Sequence, residues 1–565
     1  MKLKYIFLGL TCMTVLSACT EQMDYHEYTV YDKGYVFSDF TRTGAFVTNV
    51  YSSLDSDLPG FASMSSATDE SEMAITYSNI LDYTNGNWNA LNPKSQWGYY
   101  SAIRAANYYL AECPNLDFYD QRYDKDYKAQ MSRFNRYQYE VRLLRAYYYF
   151  LLVRAYGDVP FTMQVLTDVE ANSMTRTSAK TIFEFIVSEC EAVKDKLPVT
   201  YYGLEDDAAG GTTNPETGRV NRGTALALKA RALFYQASPL FNETGDMELW
   251  KKAAKASKDV IDYCAKNNIT LAKYSDLWGP NNYKATEIIF ARRIGDTNTP
   301  EIYNFPVGME NGSSGNCPTQ TLVDAYEMKV TGKAWNEKDS GYDENKPYAN
   351  RDPRFGMTVA INGEKWPSTN PNLLETYIGG RNGQPVAYGT PTGYYLKKYL
   401  DTTIDISASN SSGGKRHSWI TFRLGEFYLN YAEAVFRTLG SGDATSEDFT
   451  LSAREAVNVI RNRSDVKMPG FPIGMSNVDF WTKYQRERMV ELAFEGHRFW
   501  DIRRWKDGEK MKSITRMEIT KNVDGTFSYK RVIKKLTWDD RMYFYPIPDS
   551  EIRKNPNLSQ NQGWK

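Results

Sequence analysis

RFNRYQYEVRLLRAYYYFLLVRAY, residues 133–156, followed by Gly157-Asp158-Val159-Pro160, decides the fold class. Val141, Leu144, Tyr148 and Leu151/Leu152 recur at helical spacing and form one apolar stripe, which the Gly-Asp-Val-Pro segment terminates. The same pattern predicts a helix over Thr181–Leu197, with Ser178 as its cap and Pro198 as its stop. It predicts others over Arg222–Phe241, Leu249–Cys264, Thr421–Thr438 and Ser446–Arg463, and a last long one from Val478 to Trp505.

Helices of this length in consecutive pairs, rich in Ala and Tyr, resemble tetratricopeptide units, which bury their faces only by stacking on neighbours. Ala146, Ala230 and Ala432 are the small residues that would let helices approach closely. Residues 291–420 break the pattern: Gly, Pro, Asn and Tyr are frequent, and segments such as Glu287–Ala291 and Tyr394–Tyr399 read as short strands. Gly203–Gly218 reads as an acidic surface loop. Because helical pairs flank the irregular region on both sides, one integrated fold is expected, with recognition carried by its loops.

The chain begins with a leader. Lys2 and Lys4 precede an apolar run, and Leu16-Ser17-Ala18-Cys19 has the order of a bacterial lipobox. Residues 1–18 are thus read as a signal peptide, Cys19 as the lipidation site and residues 19–40 as a tether, with the domain over 41–565. In the full chain of 565 residues, 68 Lys and Arg against 69 Asp and Glu leave a net charge of -1. No global field draws in nucleic acid. Cys113, Cys190, Cys264 and Cys317 admit three disulfide pairings, and spacing selects none. Only three histidines are present, without a Cys/His cluster at ligand spacing, so neither metal nor cofactor is expected. Gly-x-Ser-x-Gly, phosphate-loop and dinucleotide fingerprints are missing, and paired carboxylates for glycosidic chemistry cannot be told from chance among so many acids.

Several islands, in order along the mature chain, resemble the SusD/RagB family. They are the lipobox, GDVPF (157–161), GRVNRGTALALKARA (218–232), CPTQTLVDAYE (317–327), RDPR (351–354), LGEFYLNYAEAV (424–435), ERMVELAFEGHRFWDIRRWK (487–506) and YPIPDSEIRKNPNLSQNQGW (545–564). The resemblance implies a mostly α fold of about four tetratricopeptide-like pairs in a right-handed superhelical scaffold, with a large irregular half carrying a few short strands. It implies a lipoprotein on the outer-membrane surface that captures oligosaccharide or polysaccharide. Such a protein acts as a lid over a SusC-like TonB-dependent transporter and is not an enzyme. A RagB-like peptide binder is the nearest alternative, and a secreted glycoside hydrolase is more remote.

Glycan capture needs an exposed aromatic face rimmed by polar groups. Trp88 lies in YTNGNWN (83–89), where a turn rarely needs so large a ring for packing, and it is expected as the platform, with Asn87 beside it. Asp69 in the preceding loop is expected to accept from a sugar hydroxyl. Loop aromatics Trp278 and Tyr283 are further candidates, and the loops of Tyr303, Arg381 and Cys317 resemble site-lining segments of the family; the binding loops are expected mainly within 55–95 and 270–420. Arg498, Trp500, Arg503 and Arg504 are read as packing residues that pair with Glu487, Glu491 and Glu495, and His497 as structural.

Overall fold

The computed structural model describes residues 32–113, 115–201, 204, 218–407 and 413–565. The expected signal peptide, Cys19, the first part of the expected tether and most of the Gly203–Gly218 stretch lie outside the described residues. The fold starts earlier than residue 41. Asp32 caps α1 (Lys33–Phe37) and Asp39 caps α2 (Phe40–Ser52), each by accepting a backbone N–H. Phe37 meets Phe46 at 5.5 Å and Phe40 stacks on Phe118 at 4.1 Å, so these rings belong to the core rather than to a tether.

Among the described residues eight longer helices, with short ones between them, then follow as four pairs: α3 (Tyr99–Glu112) and α4 (Tyr127–Tyr156), α5 (Ala179–Val193) and α6 (Arg222–Ala237), α7 (Met247–Lys266) and α8 (Leu424–Leu439), α9 (Ala453–Arg461) and α10 (Asn477–Glu491). Each packs on the next. Ala146, Ala230 and Ala432 are fully buried, as the close approach of the helices requires. No helix among the described residues is long and apolar enough to cross a membrane.

Several boundaries differ from the sequence reading: the helix read from Arg133 starts at Tyr127, and those read to Leu197 and Phe241 end at Val193 and Ala237. Thr421–Arg423 belongs to a strand, and α8 starts only at Leu424. The helix expected from Ser446 starts at Ala453, where Ser452 and Glu455 form a reciprocal capping box. The long helix expected over Val478–Trp505 is two: α10 ends at Glu491 and α11 spans Arg498–Arg504. Between them Phe494 and Gly496 adopt left-handed φ of 60° and 72°, which no continuing helix tolerates.

The irregular half carries short antiparallel pairs: β1 (Ser71–Met73) with β3 (Asn316–Pro318), β2 (Ile288–Thr297) with β6 (Lys415–Arg423), and β4 (Val359–Ala360) with β5 (Tyr395–Leu396). A hairpin of β7 (Ser513–Lys521) and β8 (Phe527–Lys535), unforeseen in the sequence, completes it.

Buried charge joins the two halves. Arg423, the last residue of β6, reaches Glu287 at 2.8 Å, Glu491 at 2.8 Å and Glu495 at 2.6 Å. Arg463 also contacts Glu491 at 2.7 Å, and Arg354 bridges Asp352, Glu487 and Glu491. Arg461 continues the chain from Glu487 to Glu327. Burial alone would raise the pKa of Glu491, but Arg463, Arg423 and Arg354 outweigh it and hold the carboxyl well below its ordinary value.

Glu491→Gln keeps the shape and removes one charge from three guanidiniums. It is expected to lower unfolding stability by about 3–5 kcal/mol, measured by urea denaturation near neutral pH. The contribution is complete above the unfolded carboxyl's pKa of about 4.3 and is lost as pH falls through the lower folded value, so the two proteins should converge in acid. An unchanged midpoint at neutral pH would show that the charge contributes nothing net.

Candidate functional site: an aromatic face on four loops

Four rings from four separate segments, three loops and the short helix Thr299–Asn304, meet at the surface of the irregular half. Phe61 and Tyr303 stand edge to face at 5.3 Å and 83°, Phe61 lies 6.1 Å from Tyr77, and Tyr77 meets Tyr388 at 6.1 Å and 82°. Tyr77 is 68% exposed and Tyr388 41%, while Phe61 and Tyr303 are half-buried beside them.

Each ring is held from below. Tyr303 rides on the short helix Thr299–Asn304, whose buried Glu301 accepts the Asp401 N–H at 2.9 Å. The Asn304 side chain donates to the carbonyls of Pro59 (3.0 Å) and Gly60 (3.3 Å), tying the Phe61 loop to that helix. The Asn304 carbonyl group accepts from the backbone and side chain of Asn316 on β3, and β3 pairs with β1, the strand that leads to Tyr77. Ala74 N–H donates to Gly315 O at 2.8 Å, extending that link. Tyr388 sits in a loop closed by Thr390 N–H on Asn382 O and by the Gln384 amide on Gly389 O. A Cβ on Gly389 would stand 2.3 Å from Gly383 O, so this turn accepts only glycine there. Tyr388 itself has φ of 61°, a conformation that costs a non-glycine residue about 1–2 kcal/mol and that this closed loop enforces. Together the loops present a preformed row of aromatic faces and hydroxyls.

Of the expected site residues, Tyr303 is in this row. Arg381 is close by, packed on Gly308 of the Tyr303 loop, with its guanidinium bonded to both oxygens of Glu375 at 3.0 and 3.1 Å. Asn87 is exposed, and its carbonyl accepts from the side chains of Asn89 and Asn92; no described contact joins it to the four rings. Tyr283 is half-buried with the Arg293 guanidinium 4.2 Å over its ring, outside the row.

Three expectations are corrected. Trp88 is fully buried: its indole N–H donates to Pro93 O at 2.9 Å, and its ring meets Tyr83 at 4.7 Å, Tyr545 at 4.8 Å and Trp564 at 5.1 Å. The chain's C-terminal segment returns to cover a turn that looks open in the local sequence. Asp69 is 3% exposed, with both carboxylate oxygens taken by Arg498 at 2.7 and 2.8 Å. Trp278 is buried against Tyr274 and Tyr399, with the Lys398 ammonium 3.8 Å over its ring.

Cys317 lies buried in β3 and is free, as are Cys113, Cys190 and Cys264. No group of three His, Cys, Asp or Glu among the described residues is arranged to hold a metal ion. The basic stretch after Glu495 does pack, but with other partners than expected. Arg498 takes Asp69, while Arg504 takes Glu433 and Asp501, because the break before α11 turns these side chains away from Glu487 and Glu491. Burial and the surrounding arginines push His497 well below its ordinary pKa, which keeps it neutral.

Phe61, Tyr77 and Tyr388 were missed. Each is a lone aromatic among Gly, Pro, Ser or Asn, the same local signal that pointed to Trp88.

A family model described as "SusD family" matches residues 286–564, and another, described as "Starch-binding associating with outer membrane", matches residues 43–207. The helical scaffold and these matches define the class, and the chain belongs to the SusD/RagB family. It is 24% identical over 431 residues to SusD-like protein P2 of Formosa agariphila, covering 74% of this chain and 72% of that one. A solved SusD-like protein from Bacteroides fragilis superposes with a TM-score of 0.74 at 25% identity, over 94% of this chain and 98% of the other. A laminarin-binding SusD-like protein superposes at 0.63 with 21% identity, over 93% and 99%.

Trp88→Ala is expected to lower stability by about 3–5 kcal/mol in thermal or urea unfolding, as for a large core ring. A neutral effect on stability would return Trp88 to the surface. A second test concerns Glu70, whose buried carboxylate has no hydrogen-bond partner and whose pKa burial pushes up to about 8. Between the unfolded value of about 4.3 and the folded one, only the native state keeps the proton, so this group makes stability fall as pH rises. Glu70→Gln should therefore be more stable than the parent at pH near 8 and lose that advantage toward pH 5. An equal difference at both pH values would remove Glu70 as the cause.

Proposed function

We propose that this chain is a surface lipoprotein, anchored through Cys19 in the outer membrane and facing the cell exterior. It captures oligosaccharide or polysaccharide on the row Phe61, Tyr77, Tyr303 and Tyr388, and delivers it as a lid to a SusC-like TonB-dependent transporter. The observation that carries the reading is the convergence at the surface of four rings from three loops and a short helix, two of them exposed and two half-buried. Their faces suit the C–H side of sugar rings, and the three tyrosine hydroxyls suit sugar hydroxyls. Family membership and the similarity to a laminarin-binding protein support it. The chain binds without catalysis, and the tether raises the effective concentration of a repeating ligand, so modest affinity per unit suffices.

Isothermal titration of the protein without its leader and Cys19, against a panel of polysaccharides and a peptide digest, tests this reading. Saturable heat with a glycan is expected, and Tyr77→Ala or Tyr388→Ala should each weaken it about tenfold, or roughly 1.4 kcal/mol, with unfolding midpoints unchanged. Heat with peptides alone would give the RagB-like alternative. Release of reducing ends from a polysaccharide would make the chain a hydrolase.

A further inference from the structure

A second hollow lies where the two halves meet. Tyr147 and Arg154 of α4, Arg231 of α6, Trp419 and Thr421 of β6 and Trp500 of α11 close its floor and walls, and all are buried. Ser56, which is exposed, and Asp55, Gln96 and Tyr99, which are half-buried, stand at its mouth. The Phe61 loop forms one side. The Asp57 carboxylate lines the hollow and accepts Ser63 O–H at 2.9 Å and Met64 N–H at 2.8 Å, closing the loop that carries Phe61. The cavity measures about 260 Å³. That is just under the roughly 300–1,000 Å³ of sites for drug-sized molecules, and it suits a ligand of one ring.

The polar groups facing this hollow are left without protein partners. Arg154 is 9% exposed, yet its Nε has no hydrogen-bond partner, and its nearest carboxylate oxygen, on Asp55, is 3.8 Å away. Its guanidinium instead lies 4.1 Å over the Trp500 ring. A buried guanidinium in that state is costly unless something in the hollow accepts from it. The Tyr99 hydroxyl and the indole N–H groups of Trp419 and Trp500 make no hydrogen bond to the described residues either. Facing these donors are the Asp55 and Asp57 oxygens and the ring of His497, which, being neutral, has one donor and one acceptor nitrogen.

We infer that this hollow is a second binding site, which takes one terminal hexose of a glycan, with Arg154, Tyr99, Trp419 and Trp500 among its binding residues. The ligand class rests on the capture reading above. A sugar hydroxyl both donates and accepts, which matches a wall of mixed donors and acceptors; a carboxylate only accepts and matches half of it. Because the floor is buried, a chain enters by an end and cannot run through, in contrast to the open row of rings.

Isothermal titration of the protein without its leader and Cys19 tests the site, using free glucose, galactose and mannose, glucuronate, and the polysaccharide panel. One hexose is expected to bind once per chain, with a Kd on the order of 1 mM for so small a ligand. Arg154→Met and Tyr99→Phe should each weaken hexose binding about tenfold without lowering the unfolding midpoint, since neither replaced group holds a hydrogen bond in the protein. If no hexose binds while Tyr77→Ala still weakens a bound polysaccharide, the hollow holds only solvent, and the inference fails with the capture reading intact. Hexose binding that survives both Arg154→Met and Tyr99→Phe puts the sugar elsewhere and overturns the site. Binding of glucuronate without any neutral hexose overturns the ligand class. If neither hexose nor polysaccharide binds, the capture reading itself fails and this inference falls with it.

Discussion

The fork of Arg423 is the contact on which the rest of the structure depends. It stands where β6 ends and α8 begins, and it reaches Glu287 at the start of β2, Glu491 at the end of α10 and Glu495 in the break before α11. One guanidinium thereby fixes the relative positions of a strand pair, a helical pair and the turn that redirects the C-terminal third. All of its partners are buried, and at Glu287 and Glu491 burial pushes the carboxyl up while the arginines pull it down and prevail. Such a cluster is a poor source of net stability compared with well-packed hydrophobic residues, but it penalises any arrangement that leaves a member alone. Its physical effect here is registry between the halves.

That registry extends to the proposed binding face. Glu301 and Asn304 connect the Tyr303 helix to residues 401, 59, 60 and 316, and β1 connects onward to Tyr77. Asp69, two residues before β1, is clamped by Arg498 of α11. Glu72 within β1 bonds Arg516 of β7 and Lys534 of β8. The loop rings therefore sit on elements whose ends are fixed by ionic bonds. Ordering costs at binding fall when the face is already built, which matters most for a ligand that offers little energy per sugar.

How much of this was legible follows the range of the interactions. The helical pairs were, because periodicity within α4, α5, α6 and α7 is local information. The break between α10 and α11 was not: Leu492, Ala493 and Phe494 continue a helical pattern, and only the left-handed turn at Phe494 and Gly496, stabilised by charges from elsewhere, ends the helix. The β7–β8 hairpin escaped notice for a related reason, since its strands alternate apolar with long charged residues that read equally well as a solvated segment. In the site, Tyr303 and Arg381 came from family resemblance rather than from any local physical signal. Trp88 failed because a turn-bound tryptophan looks the same whether solvent or Tyr545 and Trp564 cover it, and those residues lie more than 450 positions away. Phe61, Tyr77 and Tyr388 carried the same local signal and remained uncovered.

The distribution of charge connects the two ends of the argument. In this chain Arg354, Arg423, Arg461, Arg463, Arg488, Arg498 and Arg504 are all buried and matched with carboxylates. The interior is thus specified by ionic pairs between residues far apart in the sequence, whereas the four-ring face is assembled from aromatic contacts between separate segments.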